Sequence, residues 1–265
     1  MGLREEFERV GNWLFRWRSY LPLLLSVVIL LGMRNFRLIG DSHLWDRVWE
    51  VICLIISFFG LAIRAYVVGH VPSGTSGRNT REQRAECLNT TGLYSVVRHP
   101  LYLGNFFCWF GVSLFPHVWW VSMTVVLIFW LYYERIMFAE EEFLRRKFGK
   151  AYETWSENTP AFLPRFKNWR PPSQPFSVKK VLRKEYSGWF AVIASLTLLE
   201  VVGDVCCKGR IEIDLMWLIL FLAGLTSYVI LRILKKATAL LNVEAEKEVS
   251  RVTRDEPRTF SRLQN

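Results

Sequence analysis

The 265-residue chain has only five cysteines, and none sits in a redox or metal-binding spacing. Cys53 and Cys108 lie in apolar runs, Cys206 and Cys207 are adjacent, and no CxxC or His/Cys ligand pattern occurs. Neither a disulfide framework nor a zinc site is expected, and no metal is assigned. Acidic charge is scarce as well. Asp and Glu number 24 against 34 Lys and Arg, a formal net charge of +10. The start, MGLREEFERVGNWLFRWRSY, is too charged for a signal peptide and has Glu where myristoylation wants Ser or Thr. It reads as an amphipathic lead-in to an apolar segment. There is no internal repeat and no low-complexity tract.

What is present is apolar. Hydrophobic residues make up 51% of the chain and aromatic residues 15%, which excludes intrinsic disorder. They are clumped into long runs from which charge is nearly missing, with the basic residues between them. That distribution describes a polytopic membrane protein. Cationic loops at an anionic membrane face account for the basic excess, so no nucleic-acid partner is expected.

Six apolar segments are expected as spans. They are Ser19 to Met33, Val48 to Gly69 (interrupted by Arg64), Leu101 to Phe115, Val118 to Phe138, Gly188 to Cys206, and Leu215 to Leu234. The middle pair comes from one stretch, Pro100 to Tyr133, without a single Asp, Glu, Lys or Arg. One helix of that length would reach about 50 Å across a core of about 30 Å, and Pro116 sits near its middle. A helical hairpin over 101–138 is therefore predicted. The intervening loops alternate between basic and nearly neutral. Six spans put every basic loop on one side, and the positive-inside rule makes that side, with both termini, cytoplasmic. The fold class is thus an all-α, multi-pass helical bundle with a cytoplasmic pocket. It divides into a lead-in and first span (1–46), a core (47–166), a basic Pro-containing linker (167–187), two further spans (188–234) and a cytoplasmic tail (235–265). Near the far end of the fifth span, Glu200 and Asp204 are expected to reach the membrane interface.

Two polar segments flank the hairpin. VPSGTSGRNTREQRAECLNTTGLYSVVRHP (71–100) is rich in Gly, Ser, Thr, Asn and Arg, residues that suit an anion. The segment 74–83 can equally be a solvated loop. ERIMFAEEEFLRRKFGKAYETW (134–155) is predicted helical until the prolines of NTPAFLPRF (158–166) stop it. Arg98-His99-Pro100 fits either a site or a head-group anchor at a helix entrance. Glu140, Glu141 and Glu142 fit either a site or i,i+4 pairing with the RRK that follows. Arg64 and Glu134, at or inside apolar runs, need a partner or a polar cavity.

Taken together, GLYSVVRHPLYLG (92–104), an apolar hairpin, EExxLxxxFGxxY (140–152) and PxxxP (160–164) resemble the isoprenylcysteine carboxyl methyltransferase and phospholipid methyltransferase family. RHPxYxG followed at this distance by EExxLxxxFG is a specific combination. The resemblance covers about residues 50–166 and leaves out the first span and the last hundred residues. It implies an integral membrane methyltransferase using S-adenosylmethionine, without the Gly-rich loop of a Rossmann enzyme, which this chain indeed lacks. It also implies a cofactor pocket formed by Leu88, Gly92, Tyr94, Arg98, His99, Pro100, Tyr102, Gly104, Glu140 and Glu141. His99 also counts as a candidate catalytic residue. Arg135 is the nearest candidate for the arginine that family members place before the glutamate pair to serve the acceptor. Glu86, Cys87 and Asn89 do not match the family pattern, and Trp155 stands where many members have Tyr.

The residue types suit that chemistry. A carboxylate such as Glu140 can hold an ammonium or ribose hydroxyls, and Arg98 or the helix start at Pro100 can hold a carboxylate. Tyr94 and Tyr102 offer aromatic faces to adenine or a sulfonium. For the acceptor, Arg64, Arg78 and Arg81 favour an anionic lipid head group, such as the phosphate of a lipid A-type glycolipid. An isoprenylcysteine-type carboxylate and a phosphatidylethanolamine-type amine are the alternatives, the amine needing a base. From other classes, a sterol-type membrane reductase and a non-catalytic membrane protein remain. The expected partners are a lipid or lipidated substrate and the bilayer. Oligomeric state is not indicated.

Overall fold

The computed structural model describes residues 2–36, 43–72, 83, 85–211, 214–238, 240 and 241. Eight α-helices account for most of them: α1 (Leu3–Trp17), α2 (Leu21–Gly32), α3 (His43–His70), α4 (Pro100–Leu114), α5 (Trp119–Phe148), α6 (Lys150–Asn158), α7 (Val178–Lys208) and α8 (Leu215–Ala237). No strand occurs among the described residues. An isolated antiparallel bridge joins Gly92 to Arg170.

Four of the helices, α3, α5, α7 and α8, are long and apolar enough to cross a membrane. The shorter α2 and α4 are equally apolar. The predicted hairpin is α4 followed by α5, turning through Phe115–Val118 with His117 at a φ of 59°. The α5 helix continues ten residues past the predicted span, so the glutamate triplet rides on the same rigid rod as the apolar hairpin.

The central crossing is that of α3 with α4, and small residues make it possible. A Cβ on Gly104 would lie 2.8 Å from the Gly60 carbonyl oxygen, and one on Gly60 would lie 2.4 Å from that of Gly104. Gly111 similarly faces Ser57 and the Cys53 carbonyl. Such contacts let backbones approach where lipid gives no hydrophobic drive between helices. Gly104→Val is therefore expected to prise α3 from α4 and lower stability by about 1–3 kcal/mol. A melting curve in detergent measures it.

At the end of the bundle away from the pocket, polar groups tie the helices. The Trp217 indole donates to Glu50 at 2.9 Å, the Glu200 carboxyl meets that of Glu50, and His117 faces Asp46 at 3.4 Å. Glu200, expected at the membrane interface, thus meets another carboxyl. At the pocket end, α1 lies along α5. Arg4 and Arg145 both reach Glu142, Arg146 pairs with Glu8, and Phe7 packs edge-on against Phe138.

Candidate functional site

The site is built where the loop before α4 meets α5. Gly92 adopts a φ of +60°, which a Cβ-bearing residue would resist, and starts the turn Leu93–Ser95. His99 is the residue before α4, and Pro100 occupies its first turn, where the missing N–H costs nothing. The prolines at 160 and 164 do more than stop a helix. Their segment straps this turn through backbone bonds from Arg98 to Pro160 (2.8 Å), His99 to Ala161 (3.2 Å) and Arg165 to Val96 (2.9 Å).

The three consecutive glutamates of α5, Glu140 to Glu142, have three different duties, because each step along a helix rotates the side chain by about 100°. Glu141 lies beneath the turn and accepts from Arg98 at 2.8 Å, with the His99 Nε2 at 3.0 Å. Glu142 is turned to α1 and α5. Glu140 faces the cavity, its side chain 32% exposed, with the Tyr102 hydroxyl donating to it at 2.9 Å. His99 stacks on Tyr102 with its Nδ1 3.7 Å from Glu140.

The cavity so formed holds about 480 Å³, within the range of small-molecule sites. Leu88, Tyr94, Arg98, His99, Tyr102 and Glu140 all line it. Burial, and then the Glu140 charge, pushes the Tyr94 phenol above its ordinary value, so it stays a neutral donor. The Trp155 indole donates to the Tyr94 carbonyl at 3.0 Å and fixes that wall.

The deep end carries Arg64. Its Nε and Nη2 donate to the two oxygens of Glu185 at 2.8 and 2.9 Å, and its Nη1 donates to Asn105 at 2.5 Å. Asn105 in turn donates to the Tyr133 hydroxyl at 3.1 Å. This chain links α7, α3, α4 and α5 across the cavity. Glu185 is 2% exposed.

Other expected site residues sit elsewhere. Glu141 is behind the wall, Gly104 is in the α3–α4 crossing, and Gly92 and Pro100 shape the turn without lining the cavity. Arg135 is on the α1 side, its guanidinium 3.6 Å from the Phe7 ring centre. Arg78 and Arg81 lie outside the described residues. Conversely, Cys87 and Asn89 line the cavity beside Leu88, as do Arg18 and Ser19 after α1 and Lys184 and Glu185 on α7. The cavity thus draws on residues beyond 47–166. Glu185 left one sequence signal, as the first acid after Glu157 and the entrance to an apolar run.

The phospholipid methyltransferase family pattern matches residues 73–151, which hold the turn, the hairpin and the glutamates. The chain is 30% identical over 167 residues to the nickel-cobalt-cadmium resistance protein NccN of Alcaligenes xylosoxydans xylosoxydans, covering 62% of this chain and 68% of that one. It is 32% identical over 166 residues to the cobalt-zinc-cadmium resistance protein CzcN of Cupriavidus metallidurans, covering 62% and 71%. With the protein-S-isoprenylcysteine O-methyltransferase of Schizosaccharomyces pombe it shares 29% identity over 85 residues, or 32% and 36% of the two chains. No solved structure matches significantly. The chain belongs to the isoprenylcysteine and phospholipid methyltransferase family, as an integral membrane methyltransferase.

Proposed function

We propose that the protein transfers a methyl group from S-adenosylmethionine to an anionic lipid head group, best a lipid phosphate, at the cytoplasmic face. The observation that carries this reading is one cavity lined both by Tyr94, Tyr102 and Glu140 and by several cationic side chains. Around Tyr94, Tyr102 and Glu140 it offers aromatic faces and an oriented carboxylate. Its lining also includes Arg18, Lys184 and Arg64, the last held by Glu185.

One feature of the Arg98 wall supports this cofactor. Arg98 Nε is buried and has no hydrogen-bond acceptor among the described residues, while the same side chain lines the cavity. A ligand carboxylate supplies the missing acceptor. Glu140 would then hold the ammonium or the ribose hydroxyls, and Tyr94 and Tyr102 the ring or the sulfonium. When bound, the cofactor supplies an electrophilic methyl group. The protein's own part is alignment. Glu141 holds Arg98 and His99 in place, and Arg64 braces Asn105 and Tyr133. An acceptor that is already an oxyanion needs no general base, so orientation carries most of the rate.

Arg78 and Arg81 are proposed as further acceptor contacts. The orientation, with both termini and the cavity cytoplasmic, rests on the alternation of basic loops. The S. pombe relative is named for O-methylation of isoprenylcysteine, and a carboxylate acceptor would suit the same cations. Two relatives are named for metal resistance. If this chain shares that role, methylating a phosphate removes negative charge from the membrane surface and weakens its attraction for divalent cations.

Titration of the detergent-solubilised protein with S-adenosylmethionine tests the cofactor half. Saturable binding is expected, and Arg78→Ala and Arg81→Ala should leave it unchanged while raising the acceptor KM. Unchanged acceptor kinetics in both variants would remove those two arginines from the account.

A further inference from the structure

A second concavity of about 850 Å³ lies between α6 and the turn Phe166–Asn168. Lys150, Lys167 and Arg170 line it together with hydrogen-bonding groups of Thr154 and Asn158. Among the described residues no carboxylate is in its lining, and Glu153 and Glu157 of α6 stay outside it. The surrounding sequence is equally one-sided. From Asn158 to Lys184 there is no Asp or Glu, and there are seven Lys and Arg.

The position of this groove relative to the bilayer follows from the hairpin. With 15 residues, α4 is about 22 Å long, shorter than a hydrocarbon core of about 30 Å. The turn at His99 therefore lies no farther out than the head groups. The 160–165 strap is bonded to that turn, so it shares its depth. Phe162 packs edge-on against Phe106 and Trp130 of the hairpin, at 5.8 and 5.4 Å between ring centres. Beside it Leu163 is 76% exposed and Phe166 68% exposed, and Trp169 lines the groove. Cations alternating with exposed apolar side chains at this depth are what an anionic lipid surface binds.

We infer that this groove holds the phosphate of an anionic phospholipid in the leaflet on the pocket side, with its acyl chains running past Leu163 and Phe166. The bound lipid is distinct from the methyl acceptor and the inference does not depend on the acceptor's identity. It has a structural route to the catalytic cavity. Trp155 lines both concavities, and the Arg170 carbonyl accepts from Gly92 at 2.9 Å, at the root of the turn that carries Tyr94.

The test is binding of fluorescent phosphatidylglycerol to the full-length protein in maltoside micelles, followed by anisotropy. Fluorescent phosphatidylcholine is the neutral comparison. The variants are Lys150→Gln/Lys167→Gln/Arg170→Gln and, as a control on another helix, Arg232→Gln/Lys236→Gln. All five residues are exposed, and melting without lipid checks that each variant is folded. At about fivefold in affinity for each cation in contact with the bound phosphate, the triple variant should lose on the order of a hundredfold for phosphatidylglycerol. Its phosphatidylcholine binding should equal that of the wild type, and the control should keep its phosphatidylglycerol affinity. Wild-type affinity in the triple variant, or an equal loss in the control, would overturn the assignment. So would displacement of the lipid by millimolar inorganic phosphate, which would give the groove to a soluble anion. Lipid binding is read without turnover, so failure of the methyltransferase reading would leave this result standing.

Discussion

Glu141→Ala is expected to destabilise the protein by about 2–4 kcal/mol, while Glu140→Gln, one residue away, is expected to change stability by less than about 1 kcal/mol. The difference follows from where the two carboxylates point. Glu141 accepts from Arg98 and faces His99, and only 17% of its side chain is exposed. Removing it leaves a guanidinium without its counter-charge under the turn that opens α4. The remaining exposure keeps the loss below that of a fully buried ion. Glu140 has a single bond from Tyr102 and opens to the cavity. Its amide analogue keeps that bond and gives up the negative charge. Affinity for S-adenosylmethionine should then fall on the order of tenfold to a hundredfold, the weight of one charged hydrogen bond. Thermal melting and cofactor titration of both variants check the pair. Equal melting temperatures would show that the EE motif does not divide its work in this way.

The second large effect is at the opposite end of the cavity. Arg64→Ala should cost about 3–5 kcal/mol, because it strands the buried Glu185 carboxylate, and Glu185→Ala about 2–4 kcal/mol, because the guanidinium it strands is 22% exposed toward the cavity. Arg64→Met combined with Glu185→Leu should recover most of that loss, since an apolar pair of similar volume replaces both charges at once. Stability would return without function. Asn105 would lose the guanidinium it accepts from, and with it the brace on Tyr133. Methyl transfer should stay depressed on the order of a hundredfold, as for a misaligned reacting pair, with cofactor affinity near that of the wild type. Full turnover in the restored double variant would reduce Arg64 and Glu185 to packing.

These two networks also show where sequence reading succeeds and where it stops. The hairpin was legible because a charge-free run longer than one bilayer crossing has only one economical fold, and Pro116 marked the bend. RHPxYxG and the glutamate pair were legible as neighbours because their family spacing is unusual. The division of labour among Glu140, Glu141 and Glu142 was not, since adjacent letters look alike until a helix turns them in three directions. Arg64 announced that it needed a partner, but Glu185 is 121 residues away, and no local period connects them. Arg135 was placed by its distance from the motif, whereas the closeness of α1, set by Gly11 against the Arg135 carbonyl, turns it to Phe7. The contributions of α1 and α7 to the cavity are long-range packing, and no motif carries them.

The most direct measurement of the central claim is transfer of a labelled methyl group. The purified protein, in detergent with methyl-labelled S-adenosylmethionine and a total lipid extract of its host, should place label in the organic phase. His99→Ala and Glu140→Gln should cut that signal at least tenfold at subsaturating cofactor, and mild base should not release the label as methanol, as it would from a methyl carboxyl ester. No label in any lipid, together with no detectable binding of S-adenosylmethionine, would contradict the account.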